Sequence, residues 1–205
     1  VTRIVFEDRR AVGVECLQSG SKRVIRARRE VILCAGAFQS PQLLMVSGVG
    51  PGAHLQAMGI TRQCELPGVG ANLHDHPDVV LVADAPGQSD LIGLSPRGIW
   101  HTLKAMWEWR QHRKGRLTTN FAEGGAFYKS RPDEAHPDIQ LHFVVAKLVN
   151  HGRKVTLGHG YSLHVCLLHP RSRGRVQLAD RDPNSPPLID PQFLSDPRDL
   201  QRLRD

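Results

Sequence analysis

Cysteine is scarce in this sequence: Cys16, Cys34, Cys64 and Cys166 are the only four in 205 residues. None forms a C-x-x-C pair, which argues against a zinc site or a disulfide framework and suits a reducing cytoplasm. Cys34 lies within an apolar run and is expected as a buried thiol. Aromatic residues make up only 5%. No apolar run approaches the roughly 18 residues that read as a membrane-spanning helix, and the start lacks the pattern of a signal peptide. Acidic residues are the minority charge, 20 against 27 basic, for a net charge of +7. What is present is ordinary for a globular chain: 40% hydrophobic and 23% charged residues exclude a wholly disordered protein or a collagen. At about 150 residues per domain, the length gives one large domain or two small pieces. The first residue is Val1 rather than Met, and both ends fall in segments that read as folded, so a fragment is expected.

The positive balance raises the question of nucleic acid. Basic residues gather in Lys104 to Arg116, around Trp107 and Trp109. Ile99, Trp100, Leu103, Met106, Trp107 and Arg110 recur there at helical spacing. The segment therefore reads as an amphipathic helix with a solvated basic face, and no nucleic-acid partner is assigned.

Along the chain, Arg3–Glu7, Ala11–Leu17 and Arg23–Ala27 read as strands joined by short polar turns, an antiparallel meander. Val31–Ala35 (VILCA) is continuously apolar and reads as a central parallel strand buried on both faces. It ends at Gly36. Ser40 as N-cap and Pro41 at the first helical position open a helix that Gly48 and Gly50 stop, and Ala53–Met58 forms a second, stopped by Gly59. The order strand, glycine turn, helix N-terminus is where phosphate-bearing ligands lie in open α/β sheets. Pro67–Pro77 (PGVGANLHDHP) is a shaped loop and a boundary. Val79–Ala83, the Trp-bearing helix, Ala122–Tyr128, Ile139–Val145, Ser162–Leu168 and Arg175–Leu178 predict a second, mixed or antiparallel sheet. A helix begins at Asp196.

Gly36 to Gly50 reads GAFQSPQLLMVSGVG. Gly36, Ala37, Ser40, Pro41, Leu43, Leu44, Ser47, Gly48, Val49 and Gly50 follow the pattern of the glucose-methanol-choline (GMC) flavoprotein oxidoreductases at its spacing. With PGVGANLHDHP and HPRSRGRVQL, the resemblance to that family covers nearly the whole chain. It implies FAD as cofactor and a mixed α/β and α+β fold. Residues 1–77 would be the C-terminal part of a Rossmann-like FAD-binding domain. Residues 78–195 would form an antiparallel-sheet substrate domain with helices, and 196–205 the start of a truncated helix. The implied activity is that of a fragment of an FAD-dependent oxidoreductase acting on CH–OH donors. Hydride would pass from choline or a primary alcohol to flavin, with O₂ or a quinone-type carrier as acceptor. The implied location is cytoplasmic, with peripheral membrane association left open.

The same resemblance implies site residues. A turn at Ala35–Gly36 lets the backbone approach the cofactor without a Cβ clash. The Val1 backbone would meet the adenine, and Asn72 would stand in the loop beside the cofactor. Glu123 would face the substrate, where a carboxylate and Phe121 suit a quaternary ammonium group. The family's Gly-x-Gly-x-x-Gly fingerprint is absent, and none of the 11 histidines matches its C-terminal catalytic motif, so no catalytic residue is assigned. The fragment alone is expected to be inactive, to bind FAD poorly and to aggregate through the unflanked Val31–Ala35.

Two other readings compete. One is a catalytically inactive remnant of the family acting as a binding module. The other is a metal-dependent hydrolase using His74 and His76, with Asp75 or Asp78 as a further ligand. Pro77 directly after His76 spoils the extended spacing that H-x-H ligands use, and no metal is assigned.

Overall fold

Ser19 and Gly20 hold φ of 50° and 80° between two strands. In a type I′ two-residue hairpin turn both central residues are left-handed, which matches the twist of the flanking strands. This turn joins β2 (Arg10–Gln18) to β3 (Ser21–Arg26), and Asp8, at φ 53°, turns β1 (Arg3–Glu7) into β2. The three form an antiparallel sheet in the order β1-β2-β3, as the alternating sequence requires. The computed structural model describes residues 1–88, 91–149, 153–154 and 156–205. After the meander come α1 (Gly36–Val46), β4 (Val49–Gly50), α2 (Gly52–Ala57) and β5 (Cys64–Glu65). Then follow β6 (Asp78–Asp84), β7 (Gly93–Leu94), α3 (Pro96–His112), a 3-10 turn (Arg116–Thr118), β8 (Ala122–Tyr128) and β9 (Ile139–Val144). The last elements are β10 (Gly158–Leu167), β11 (Arg175–Gln177), β12 (Leu188–Asp190) and α4 (Pro197–Arg204).

The chain divides into two compact units, residues 1–75 with 172–195 and residues 76–171 with 196–205. This corrects the placement of 172–195, which the sequence pattern grouped with the second domain. Leu73 and Gly174 exchange backbone hydrogen bonds of 3.0 and 2.6 Å, the Val176 N–H donates to the Gly70 carbonyl at 2.7 Å, and Leu178 N–H donates to His54 Nε2 at 3.0 Å. Side-chain periodicity carries no record of such pairings across about a hundred residues. In the first unit Met45, Leu55 and Leu178 are fully buried, with Val46, Met58, Ile60 and Val69 packed on them. Each such side chain contributes about 1.5–3 kcal/mol through its removal from water.

Three further expectations change. Val31–Ala35 forms no strand, and Ile32 is 74% exposed. A parallel strand needs neighbours on its edges, and none of the described residues pairs with it. Cys34, on the same segment, is therefore exposed rather than buried. The signature helix starts one turn earlier than Ser40–Pro41 suggested: Ala35 is its N-cap and Pro41 lies inside it. Pro41 there forfeits one backbone hydrogen bond, while Ser40 Oγ accepts from the Ala35 N–H at 3.2 Å.

The second unit is built on an antiparallel sheet ordered β6-β10-β9-β8, with β7 against β10. Ile139, Val144, Cys166 and Leu167 are its buried apolar residues. Asp138 is buried too, and receives the Ser130 N–H (2.8 Å) and hydroxyl (2.7 Å), with Arg202 of α4 at 3.7 Å. Burial works to raise its pKa, but the Ser130 hydrogen bonds and the Arg202 charge outweigh it and leave the carboxyl below its usual value. Ser95 caps α3 by accepting from the Gly98 N–H at 2.9 Å, and its hydroxyl meets Nε2 of buried His159 at 2.6 Å.

Candidate functional site

In the first unit, α1 borders a groove of about 870 Å³. Val1, Val14, Val31, Leu33 and Val46 give it apolar walls, while Gln39, Asn184 and Ser185 supply polar edges. Gln42 fixes the far wall, because its Nε2 donates to the Ser185 carbonyl at 2.7 Å and ties the 183–187 loop to the helix. Apolar walls with a few convergent polar groups suit a flat heteroaromatic ring with hydrogen-bonding edges. The helix start adds a second feature. No side chain caps α1 and its first turn has no acidic residue, so its free N–H groups face outward with the positive end of the helix dipole. Gly36 sits at this point with φ +80°, and a Cβ built on it meets nothing within 4 Å, so a ligand can approach the backbone closely. These residues fit a dinucleotide cofactor carrying both a ring and an anionic bridge.

Of the expected site residues, Val1 and Ala35 line this same groove, and Gly36 follows Ala35 at the helix start. Asn72 lines a second, smaller hollow of about 210 Å³, with Ala37, Pro41, Gly70 and His74, so α1 borders both. Asn72 is left-handed, at φ 57°, and its carbonyl accepts from His74 Nδ1 at 2.8 Å. His74 is therefore committed to the loop backbone. Among the described residues, no three His, Cys, Asp or Glu side chains come together as a metal site. Glu123 lies in the other unit, exposed on β8 at a bulge between Ala122 and Gly124.

The sequence pattern missed a polar cluster on the second unit's sheet. β10 pairs with β6 so that Cys166 stands opposite Asp78, and with β9 so that His164 stands opposite His142. His164 Nδ1 donates to Asp78 Oδ2 at 2.6 Å, and Cys166 Sγ donates to Asp78 Oδ1 at 3.4 Å. Burial, and then the Asp78 charge, push the Cys166 thiol up to about 11. His164 Nε2 is enclosed and has no hydrogen-bond partner among the described residues. An unsatisfied buried nitrogen of this kind costs about 1–3 kcal/mol and calls for a partner. The signal was present as His164 and Cys166 two residues apart in an alternating strand, but only the register showed which carboxylate they share. The groove residues Val31, Leu33 and Gln39 and the 183–187 loop were also missed. The loop reaches the groove by a contact no local motif encodes.

The groove and the glycine at the helix start fit a dinucleotide cofactor, and the fold is mixed α/β with antiparallel sheets. The GMC oxidoreductase family models match residues 1–78 and 170–205, and the chain belongs to that family, whose cofactor is FAD. The chain is 44% identical over 204 residues to the alcohol dehydrogenase [acceptor] of Pseudomonas putida, covering 98% of this chain and 37% of that protein. It is 39% identical over 204 residues to the mitochondrial choline dehydrogenase of Mus musculus, covering all of this chain and 34% of that one. Among solved structures, a formate oxidase superposes with a TM-score of 0.87 at 26% identity, over 99% of this chain and 40% of that one. A pyridoxine 4-oxidase superposes at 0.76 with 27% identity, over 100% and 36% of the two chains. The chain thus spans a little over a third of the length of the relatives it matches.

Proposed function

We propose that this chain is the part of an FAD-dependent dehydrogenase or oxidase of CH–OH donors that holds the cofactor from one unit and faces the alcohol with the other. The observation that carries it is the groove: it gathers Val1 and Ala35 onto one apolar wall beside an uncapped helix start. When bound, FAD would supply the hydride acceptor for oxidation of the alcohol. The Val1 backbone would meet the adenine, the Ala35–Gly36 backbone and the first-turn N–H groups of α1 would hold the pyrophosphate, and Asn72 would contact the cofactor from its loop. Residues 1–75 with 172–195 then serve as the FAD-binding unit, and 76–171 with 196–205 as the substrate unit. Glu123 lies on the substrate side, where its carboxylate pairs with a cationic alcohol such as choline. We expect this chain by itself to be inactive, with the proton abstraction from the substrate hydroxyl supplied by the complete enzyme. The location we propose is cytoplasmic, which the absence of C-x-x-C pairs among the four cysteines suits.

The test is a visible absorbance spectrum of the complete protein, then anaerobic bleaching with choline and with neutral primary alcohols. Reoxidation by O₂ and by a quinone analogue then identifies the acceptor. Bleaching by an alcohol supports the reading, and no flavin absorbance after incubation with FAD overturns it. Gly36→Val, which puts a branched side chain where the backbone must meet the cofactor, is expected to weaken FAD binding about tenfold or more.

A further inference from the structure

The apolar stripe of α3 points the opposite way from its packing surface. Gly98 and Ala105 are buried and His101 and Glu108 half-buried, at spacings of three and four that define the inward face. Ile99, Trp100, Leu103, Met106 and Trp107 lie about half a turn away and are exposed, Trp100 at 66% and Trp107 at 61%. No described residue covers this stripe as a core would. Arg97, Lys104 and Arg110 lie on the exposed part of the helix, and Arg113 and Lys114 follow at its end. None of these five makes an ion pair among the described residues, whereas Glu108, the one acidic residue of the helix, lies on the half-buried side, where Arg116 also reaches, its Nη1 3.5 Å from His101 Nδ1. Arg113 stacks over the Trp109 ring at 4.3 Å.

We propose that this face of α3 docks on an anionic lipid surface. Its chemistry matches that surface on both counts. A bulky Trp, Leu and Met stripe with basic residues at its borders lies in the plane of a bilayer, its apolar face at the headgroup–acyl boundary. Trp favours that boundary because its ring is apolar and its N–H stays wet. Unpaired Arg and Lys meet the negative headgroups without first giving up a carboxylate partner. A protein partner would need acidic residues ringing its own apolar patch to match the same charge, whereas an anionic bilayer offers both features over its whole surface. The helix is 17 residues and no helix among the described residues is long and apolar enough to cross a membrane, so the contact is interfacial. The inference does not depend on the flavin reading, because its test reads binding rather than activity.

The experiment is flotation of the complete, FAD-loaded protein with phosphatidylcholine vesicles, with and without about one-third phosphatidylglycerol. Binding to the anionic vesicles alone, weakened at least about tenfold by roughly 0.5 M salt, is expected. Trp100→Ser with Trp107→Ser should weaken binding about tenfold or more, whereas Trp100→Phe with Trp107→Phe retains it. Arg113→Glu with Lys114→Glu should abolish the preference for phosphatidylglycerol. The emission of Trp100 and Trp107, taken as the difference from the Phe variant, should be red and quenchable in solution and shift to the blue on vesicles. Failure to float with anionic vesicles overturns the proposal. So does blue, protected emission before vesicles are added, since another segment or a second copy would then already cover the face.

Discussion

Replacing Gly70 by Ala tests how residues 172–195 are held to the first unit. Gly70 has φ +78°, and a Cβ there would overlap the Val176 carbonyl oxygen, a backbone atom that no rotamer change can move. A non-glycine residue in the left-handed region costs about 1–2 kcal/mol. Relief of the overlap must push the β11 backbone away and stretch the 2.7 Å bond from the Val176 N–H to the Gly70 carbonyl. Such a bond has a net worth of about 0.5–1.5 kcal/mol. Together these give a loss of about 2–3 kcal/mol, a roughly 30- to 160-fold shift of the folding equilibrium. Gly68→Ala is the control: it sits in the same loop, yet its Cβ would meet nothing within 4 Å and its φ is not left-handed. It should change stability by less than about 0.5 kcal/mol. Urea unfolding gives both values, and amide exchange at Val176 locates the damage. If Gly70→Ala and Gly68→Ala unfold at the same urea concentration, the 172–195 segment is not anchored through this contact and the argument fails.

Leu55 is fully buried in the Met45–Leu178 cluster, and Leu55→Ala should cost about 2–5 kcal/mol in the same assay; a cost under about 1 kcal/mol would show that the cluster collapses around the gap. The two thiols should separate by reactivity. Exposed Cys34 reacts with a thiol reagent near neutral pH, while Cys166, buried and held up at about 11, reacts only on unfolding, as mass spectrometry of timed labelling would show. The Asp138 carboxyl is held below its unfolded value, so it stabilises the folded state above that value and loses the contribution as pH falls through the folded one. Acid unfolding of Asp138→Asn should therefore be less steep below about pH 4 than that of the unmodified chain, and identical slopes would remove Asp138 from the account.

The parts of the fold legible in sequence are those fixed within a few residues. The Ser19–Gly20 turn, the Ala122–Tyr128 strand and the helix bearing Trp100 and Trp107 follow from turn residues, short-range composition and helical spacing, each local. Two features of the candidate site were not local. Val31–Ala35 has the composition of a buried strand, but burial is conferred by neighbours, and without any among the described residues the segment becomes one wall of a groove. The Asp78–His164–Cys166 cluster exists only because antiparallel register sets β6 against β10. Val1 and Ala35, expected from the family resemblance, both line the groove, whereas Gln42 and Ser185, which shape the opposite wall, are joined across 143 positions.

The orientation of α3 shows why hydrophobic period alone is an incomplete guide. The period identifies an apolar stripe, and the usual inference turns that stripe inward. Here Gly98 decides otherwise. A Cβ on Gly98 would overlap the Gly93 carbonyl and sit 3.3 Å from the His159 ring, so the helix backbone itself lies against β7 and β10. Only Gly98 and Ala105 are small enough for that approach, and Trp100 or Leu103 in either place would force the helix outward. The Ser95–His159 contact fixes the same end of the helix. Close backbone packing and capping at this end thus set the orientation of the helix and leave five large side chains exposed. An apolar stripe left outward in this way is stabilised further by any surface that removes it from water, which makes the outward face of α3 the place to look for an interaction partner.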